Sequence, residues 1–359
     1  MYTILTDSCS DLNAEVAAKF DHFEVIPLSY TISGETSFQP FDDAQRCSAF
    51  YDRLRAGETC TTSQVSPGDF VEAFKPYAEK GEAVLGLIFS SALSGTYASA
   101  CMARDIVHED YPDAVIELVD TLAASAGEGM VVYDAVARRD AGMAIDENAA
   151  YTRAHLQEYA HWFTVDDLHF LKRGGRCSPS AAFFGTMLKI KPVLHVDSEG
   201  RLIARSKVRG RMQALRAIAM KFGELEADKD QMIFISHGDC EKDAMVVKET
   251  LVKEFGCDPE RIILSAVGPV IGSHSGPGTV ALFFRGKDRG CRGGLGCAKR
   301  WRWRSRRSLR AKCRSARSLC TKGISSRGQG MSGRRPATRR HTPRCLRSAA
   351  RRRRWGGGG

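Results

Sequence analysis

The stretch Ala83-Val84-Leu85-Gly86-Leu87-Ile88-Phe89 carries no polar side chain and runs straight into Ser90-Ser91-Ala92-Leu93-Ser94-Gly95-Thr96. A run this short and this apolar reads as a strand covered on both faces, because a strand with one wet face alternates apolar and polar residues. Covering both faces takes helices above and below, which implies a parallel sheet with crossover helices. The flanking segments supply that alternation. Short strands are predicted at 2–6, 24–32 and 114–119. Helices are predicted through 19 (capped by Ser10 or Asp11), from Asp42 or Asp43 to Arg55, over 68–80 behind Pro67, over 94–107 and over 125–141. Residues 1–160 therefore read as an N-terminal β/α domain, Rossmann-like, with a mostly parallel sheet.

From about Asp146 the rhythm changes. A helix through 159 leads into a strand at 161–165 and a short helix at 168–172. The break Arg173-Gly174-Gly175-Arg176 and a helix at 178–187 come next. Segments 189–196 and 201–208 predict a hairpin around Asp197-Ser198-Glu199-Gly200. Helices 211–226 and 241–255 enclose a strand at 232–236, and strands at 261–266 and 279–284 close the fold. Residues 161–288 thus read as a C-terminal α+β domain whose last strands could return to the first domain.

Charge marks a third segment, 289–359. Of 53 Lys and Arg, 24 lie there with no Asp or Glu, leaving 29 basic against 42 acidic residues before it, a balance of −13. The net charge of +11 is therefore a property of the tail, and the acidic remainder argues against a nucleic-acid-binding body. The tail has no apolar periodicity to offset ordering entropy. It is expected to be disordered, or the product of a shifted reading frame.

Several chemistries lack their signatures. The seven cysteines before 289 are scattered, with no C-x-x-C, which argues against zinc; no metal and no cofactor are expected. Walker A, H-E-x-x-H and G-x-S-x-G strings are absent, and Gly127-Glu128-Gly129 lacks the third glycine of a dinucleotide loop. No apolar run reaches the roughly 20 residues of a membrane helix. The first residues enter a strand rather than a basic leader, so the expected compartment is the cytoplasm.

What remains is three loops rich in hydroxyls and glycine: Thr61-Thr62-Ser63-Gln64-Val65-Ser66-Pro67-Gly68, Ser90 to Tyr97, and Gly272-Ser273-His274-Ser275-Gly276-Pro277-Gly278. The second follows a buried strand and opens a helix, where ligands of α/β sheets bind and where free N–H groups favour an anion. With few Lys or Arg alongside, the pattern suits a carboxylate better than a phosphate.

Six collinear strings carry a family resemblance. They are Thr6-Asp7-Ser8-Cys9-Ser10-Asp11-Leu12, Thr62-Ser63-Gln64 with Ser66-Pro67-Gly68-Asp69-Phe70, Leu93-Ser94-Gly95-Thr96-Tyr97, Val165 through Arg176 (with Lys172-Arg173-Gly174-Gly175-Arg176), Leu188-Lys189-Ile190-Lys191-Pro192-Val193-Leu194, and Val270 through Gly278. Together they resemble the DegV family over about residues 1–288. Cys9, Thr121 and Cys177 depart from its usual residues. The resemblance implies two α/β domains with a long-chain fatty acid between them. It implies a non-enzymatic binding subunit that presents the acid to a fatty acid kinase catalytic subunit for phosphorylation to acyl phosphate. By motif, Thr62 and Ser94 would donate to the carboxylate, His274 would sit beside it, and Arg173 would touch the partner or the head group. Transient membrane contact is compatible with this role. The competing expectation is a lipid hydrolase using Ser94 or Ser275 with His274.

Overall fold

A computed structural model describes residues 1–39, 44–177 and 190–287, all within one compact unit, Met1–Ala298. The predicted helix at 178–187 and the tail 289–359 lie outside the described residues. The fold is mixed α/β. Strands β1 (Thr3–Asp7), β2 (Phe23–Ile26), β6 (Val84–Ile88) and β7 (Ile116–Asp120) form a wholly parallel sheet in the order β2-β1-β6-β7. All five residues of β6 are buried, as its unbroken apolar run requires. A second sheet has the order β10-β9-β8-β13-β11-β12, built from β8 (Tyr159–Thr164), β9 (Ile190–Val196), β10 (Leu202–Arg209), β11 (Ile233–His237), β12 (Ile262–Ala266) and β13 (Val280–Arg285). The hairpin β9–β10 is antiparallel, and β13 runs antiparallel between β8 and β11. A small antiparallel sheet places β3 (Ser29–Ile32) between β4 (Glu35–Phe38) and β5 (Cys60–Ser63).

The helices are α1 (Ala14–Ala17), α2 (Ala44–Arg55), α3 (Pro67–Lys80), α4 (Thr96–Asp110), α5 (Ala126–Asp140), α6 (Ile145–His155), α7 (Leu168–Arg173), α8 (Arg211–Leu225), α9 (Glu241–Phe255) and α10 (Pro269–Ser275). Helix α5 joins the two large sheets. It packs on β1 and β6 of one and on β8, β11 and β13 of the other. Its Met130, Val131 and Val132 share one apolar cluster with Ile4, Leu85 and Val119 and with Phe163, Leu194 and Phe283. This explains the two glycines that seem misplaced in a helix. A Cβ on Gly127 would stand 2.7 Å from the Phe283 ring and 2.8 Å from His161 Nδ1, and one on Gly129 would stand 2.6 Å from the Ser10 carbonyl. Each glycine costs about 1 kcal/mol of helix propensity, offset by the close approach of β8 and β13 at Gly127 and of the segment Ser10–Leu12 at Gly129.

Three expectations are corrected. The helix predicted through 19 is a 3-10 turn, Ser8–Ser10, followed by the four-residue α1 capped by Asn13. The strand predicted at 24–32 is two strands in different sheets, β2 and β3. Pro27 lacks a ladder donor, and the Leu28 N–H goes instead to Ser8 Oγ at 2.9 Å. Helix α4 starts at Thr96, leaving Ser94 in the turn before it.

Candidate functional site

The third hydroxyl-rich string is mostly helix, not loop. Pro269 suits the first turn of α10, and Gly276 ends it at φ 78°. Gly272 lets this helix lie on α2, since a Cβ there would be 2.5 Å from Tyr51 Oη, which itself donates to the Val267 carbonyl at 2.8 Å. Helix α10 thereby carries His274 towards β5. The first string begins as strand, since β-branched Thr61 and Thr62 favour extended backbone, and ends in the first turn of α3. Thr62 Oγ1 and His274 Nε2 meet at 2.8 Å, 212 residues apart in the chain.

These two residues line a cavity of about 200 Å³, measured as the space open to the centre of a water-sized sphere. Leu28, Phe89, Leu93, Phe163, Val270 and Phe283 supply apolar wall. The polar lining near His274 is Thr62, Gln64, Ser94, Arg176 and Ser275. Contacts knit this group together. Arg176 Nε donates to the Leu93 carbonyl at 3.1 Å, and Nη1 donates to the Gly174 carbonyl. Gly174 abuts the His274 ring, where a Cβ would be 2.2 Å from Nδ1. Gln64 lies over Gly95 and donates to Ser99 Oγ at 2.9 Å. Ser94 Oγ accepts from the Thr96 N–H at 3.2 Å and pairs with Thr96 Oγ1 at 2.9 Å.

Electrostatics fix the state of the histidine. Burial, then the charges of Arg176 and Arg173, push His274 down to about 4, so its imidazole is neutral near pH 7. Its Nδ1 is buried without a hydrogen-bond partner among the described residues, as is Ser275 Oγ. Neither Ser94 nor Ser275 is hydrogen-bonded to His274: Ser94 pairs with Thr96, and the imidazole pairs with Thr62. Neither serine of the competing expectation thus has the base contact that marks a serine hydrolase; the hydroxyl in contact with the imidazole is that of Thr62.

Residues 1–287 match the family described as uncharacterised proteins of the DegV family. A DegV domain-containing protein of Clostridium perfringens is 41% identical over 292 residues, spanning 80% of this chain and 98% of the relative. The chain belongs to the DegV family. Among solved structures, the DegV chain is similar to a fatty-acid-binding DegV family protein from Thermus thermophilus, with a TM-score of 0.71 and 31% identity over 80% of this chain and 99% of that one. It is also similar to a DegV lipid-binding protein from Thermotoga maritima, with a TM-score of 0.69 and 30% identity over 80% and 100% of the two chains.

In this DegV chain the residues singled out in the sequence do not all converge. Thr62, Ser94 and His274 line one cavity. Arg173 does not line it. Its guanidinium lies over the Phe170 ring at 4.9 Å, in a surface depression shared with Glu58, Asp167 and Lys172. The nearby Asp166 pairs with Lys191 at 2.8 Å. The arginine that does line the cavity is Arg176, which sequence reasoning passed over. The Arg-Gly-Gly-Arg string contains both arginines, and only the turn geometry, with Gly175 at φ 68°, decides which one faces inward. Among the described residues no helix is long and apolar enough to cross a membrane.

Proposed function

We propose that this DegV chain binds a long-chain fatty acid in the cavity, with its carboxylate at Thr62, Ser94, Arg176 and His274. The observation that carries the reading is the Thr62–His274 pair at one cavity that also has Leu28, Phe89, Leu93, Phe163, Val270 and Phe283 as apolar wall. A neutral imidazole has one N–H. If Nδ1 bore it, a buried donor would be left unpaired, which is rarer than an unpaired acceptor. The proton therefore belongs on Nε2, which donates to Thr62 Oγ1. The threonine O–H is then free to donate to a carboxylate. Thr96 can do the same for Ser94, releasing a second O–H.

The tail supplies the affinity. Each buried methylene contributes about 0.8 kcal/mol, so a dozen supply roughly 10 kcal/mol before the costs of association. The head group is left to orient the acid. Arg176, already committed to two carbonyls, adds positive charge without closing over the site. A carboxylate oxygen so held remains able to attack the γ-phosphate of ATP on a partner, giving acyl phosphate and ADP. We assign that chemistry to a fatty acid kinase catalytic subunit met in the cytoplasm, with Arg173 and Lys172 on the surface facing it. The division into bodies 1–160 and 161–288 belongs to the same reading. The test is native mass spectrometry of the purified protein, which should carry a fatty acid, followed by thermal stabilisation on adding palmitate to delipidated protein. A ligand-free spectrum with no stabilisation refutes the proposal.

A further inference from the structure

The cavity has a second polar group away from the carboxylate site. Ser125 and Ser236 both line it, buried at 5% and 0% exposure, and their Oγ atoms are 2.9 Å apart. Behind them, Ser125 Oγ donates to Asp11 Oδ2 at 2.5 Å, and Asp11 Oδ1 accepts from the Gly268 N–H at 3.0 Å. Gly268 precedes α10, and His274 stands six residues further on, roughly 9 Å along the helix axis. Asp11, which backs the pair, is thus anchored at the opposite end of α10 from His274, and the pair lines the cavity with Ala124, Ala281 and Phe283; in the proposed pose it meets the acyl chain rather than the carboxylate.

Proton counting shows what this pair lacks. Ser125 has one proton, and the Asp11 carboxylate takes it. The bond between the serines must then run from Ser236 to Ser125, which leaves the Ser236 lone pairs towards the cavity. When Asp11 carries its own proton, it donates to Ser125, the relay reverses, and Ser236 offers a proton instead. Both states leave Ser236 one hydrogen bond short unless the ligand supplies it. A hydroxyl can serve either state because it both donates and accepts. A plain methylene can serve neither.

Building on the fatty acid reading above, we infer that Ser236, backed by Ser125 and Asp11, forms a specificity subsite for acyl chains bearing a hydroxyl group at mid-chain. The physical expectation is asymmetric. A hydroxyl taken from water into apolar wall without a partner binds about tenfold worse than hydrogen, and one that meets Ser236 recovers that loss.

The experiment compares stearic acid with a positional series of hydroxystearic acids by calorimetry, on delipidated full-length protein. Wild type should bind one narrow range of positions as tightly as stearate and the remaining isomers about tenfold more weakly. Ser236→Ala should remove that positional preference while keeping stearate binding, which also reports that the variant folds. Ser236→Thr, which retains the hydroxyl, should keep the preference. The inference is overturned if the hydroxyl penalty is equal at every position, or if Ser236→Ala leaves the isomer ratios unchanged. Failure of wild type to bind stearate at all instead refutes the underlying fatty acid reading.

Discussion

Replacing Thr62 by valine separates the head-group contribution from the tail contribution. The two side chains have nearly the same shape, so the substitution removes the hydroxyl and little else. Thr62 serves two partners: it pairs with His274 Nε2 at 2.8 Å, and under the proposed function it accepts from that nitrogen and donates to the ligand carboxylate. Hydrogen bonds to charged groups contribute about 1.5–3 kcal/mol, so affinity for a fatty acid should fall roughly 10- to 100-fold. The protein should also lose stability. His274 Nδ1 already lacks a partner, and valine strands Nε2 as well, at about 1–3 kcal/mol for a buried unsatisfied group.

The assay is binding free energy against acyl length, from decanoate to stearate, for wild type, Thr62→Val and Thr62→Ser. Each methylene should contribute about 0.8 kcal/mol in all three proteins. Wild type and Thr62→Ser should fall on one line. Thr62→Val should give a parallel line displaced by about 1.5–3 kcal/mol. Coincident lines would mean that Thr62 does not touch the carboxylate. A changed slope would mean that the substitution reaches the tail, and the division of labour between head and wall would be wrong.

Two further outcomes follow from the packing and the buried acids. Gly127→Ala should lower the urea midpoint without changing the m-value, because its Cβ would press on Phe283 and His161; overpacking costs about 1–3 kcal/mol, more than the propensity gained, and an unchanged or raised midpoint would contradict the wedge role of α5. Burial raises Asp7 to about 6 and Asp11 to about 7, against an ordinary 3.8, so their contribution to stability is complete below about pH 4 and is lost as pH rises through 6 to 7. Buried His161 and His274, lowered to about 4, act in the opposite sense on acidification, but they are common to wild type and Asp11→Asn. The difference between these two proteins in urea unfolding should therefore shift in favour of the variant from pH 4 to 8, and a difference independent of pH would show that Asp11 keeps its ordinary ionisation.

How far the fold and the site can be read from the chain depends on how local the deciding contacts are. The parallel sheet is legible because the burial of β6 is written into five consecutive residues, and the hairpin β9–β10 because its turn is contiguous. The break after Ile26 is not legible from hydrophobicity, since residues on both sides favour strand; Pro27 interrupts the ladder locally, and Ser8 captures the Leu28 N–H, a contact across 20 positions. The site divides in the same way. Thr62, Ser94 and His274 stand in strings of hydroxyls and glycines that already suggest an anion site. Arg176 is hidden because the same turn offers Arg173, and the difference between cavity and surface arises from one glycine at positive φ. The hydroxyl pair Ser125–Ser236 is hidden more deeply, since its members lie 111 residues apart and each alone looks like an ordinary buried serine. What the three-dimensional arrangement adds is therefore selective. Under the proposed function, carboxylate capture uses residues that announce their chemistry locally, whereas the discrimination of one acyl chain from another rests on a pair that exists only once Ser125, just before α5, meets Ser236 on β11.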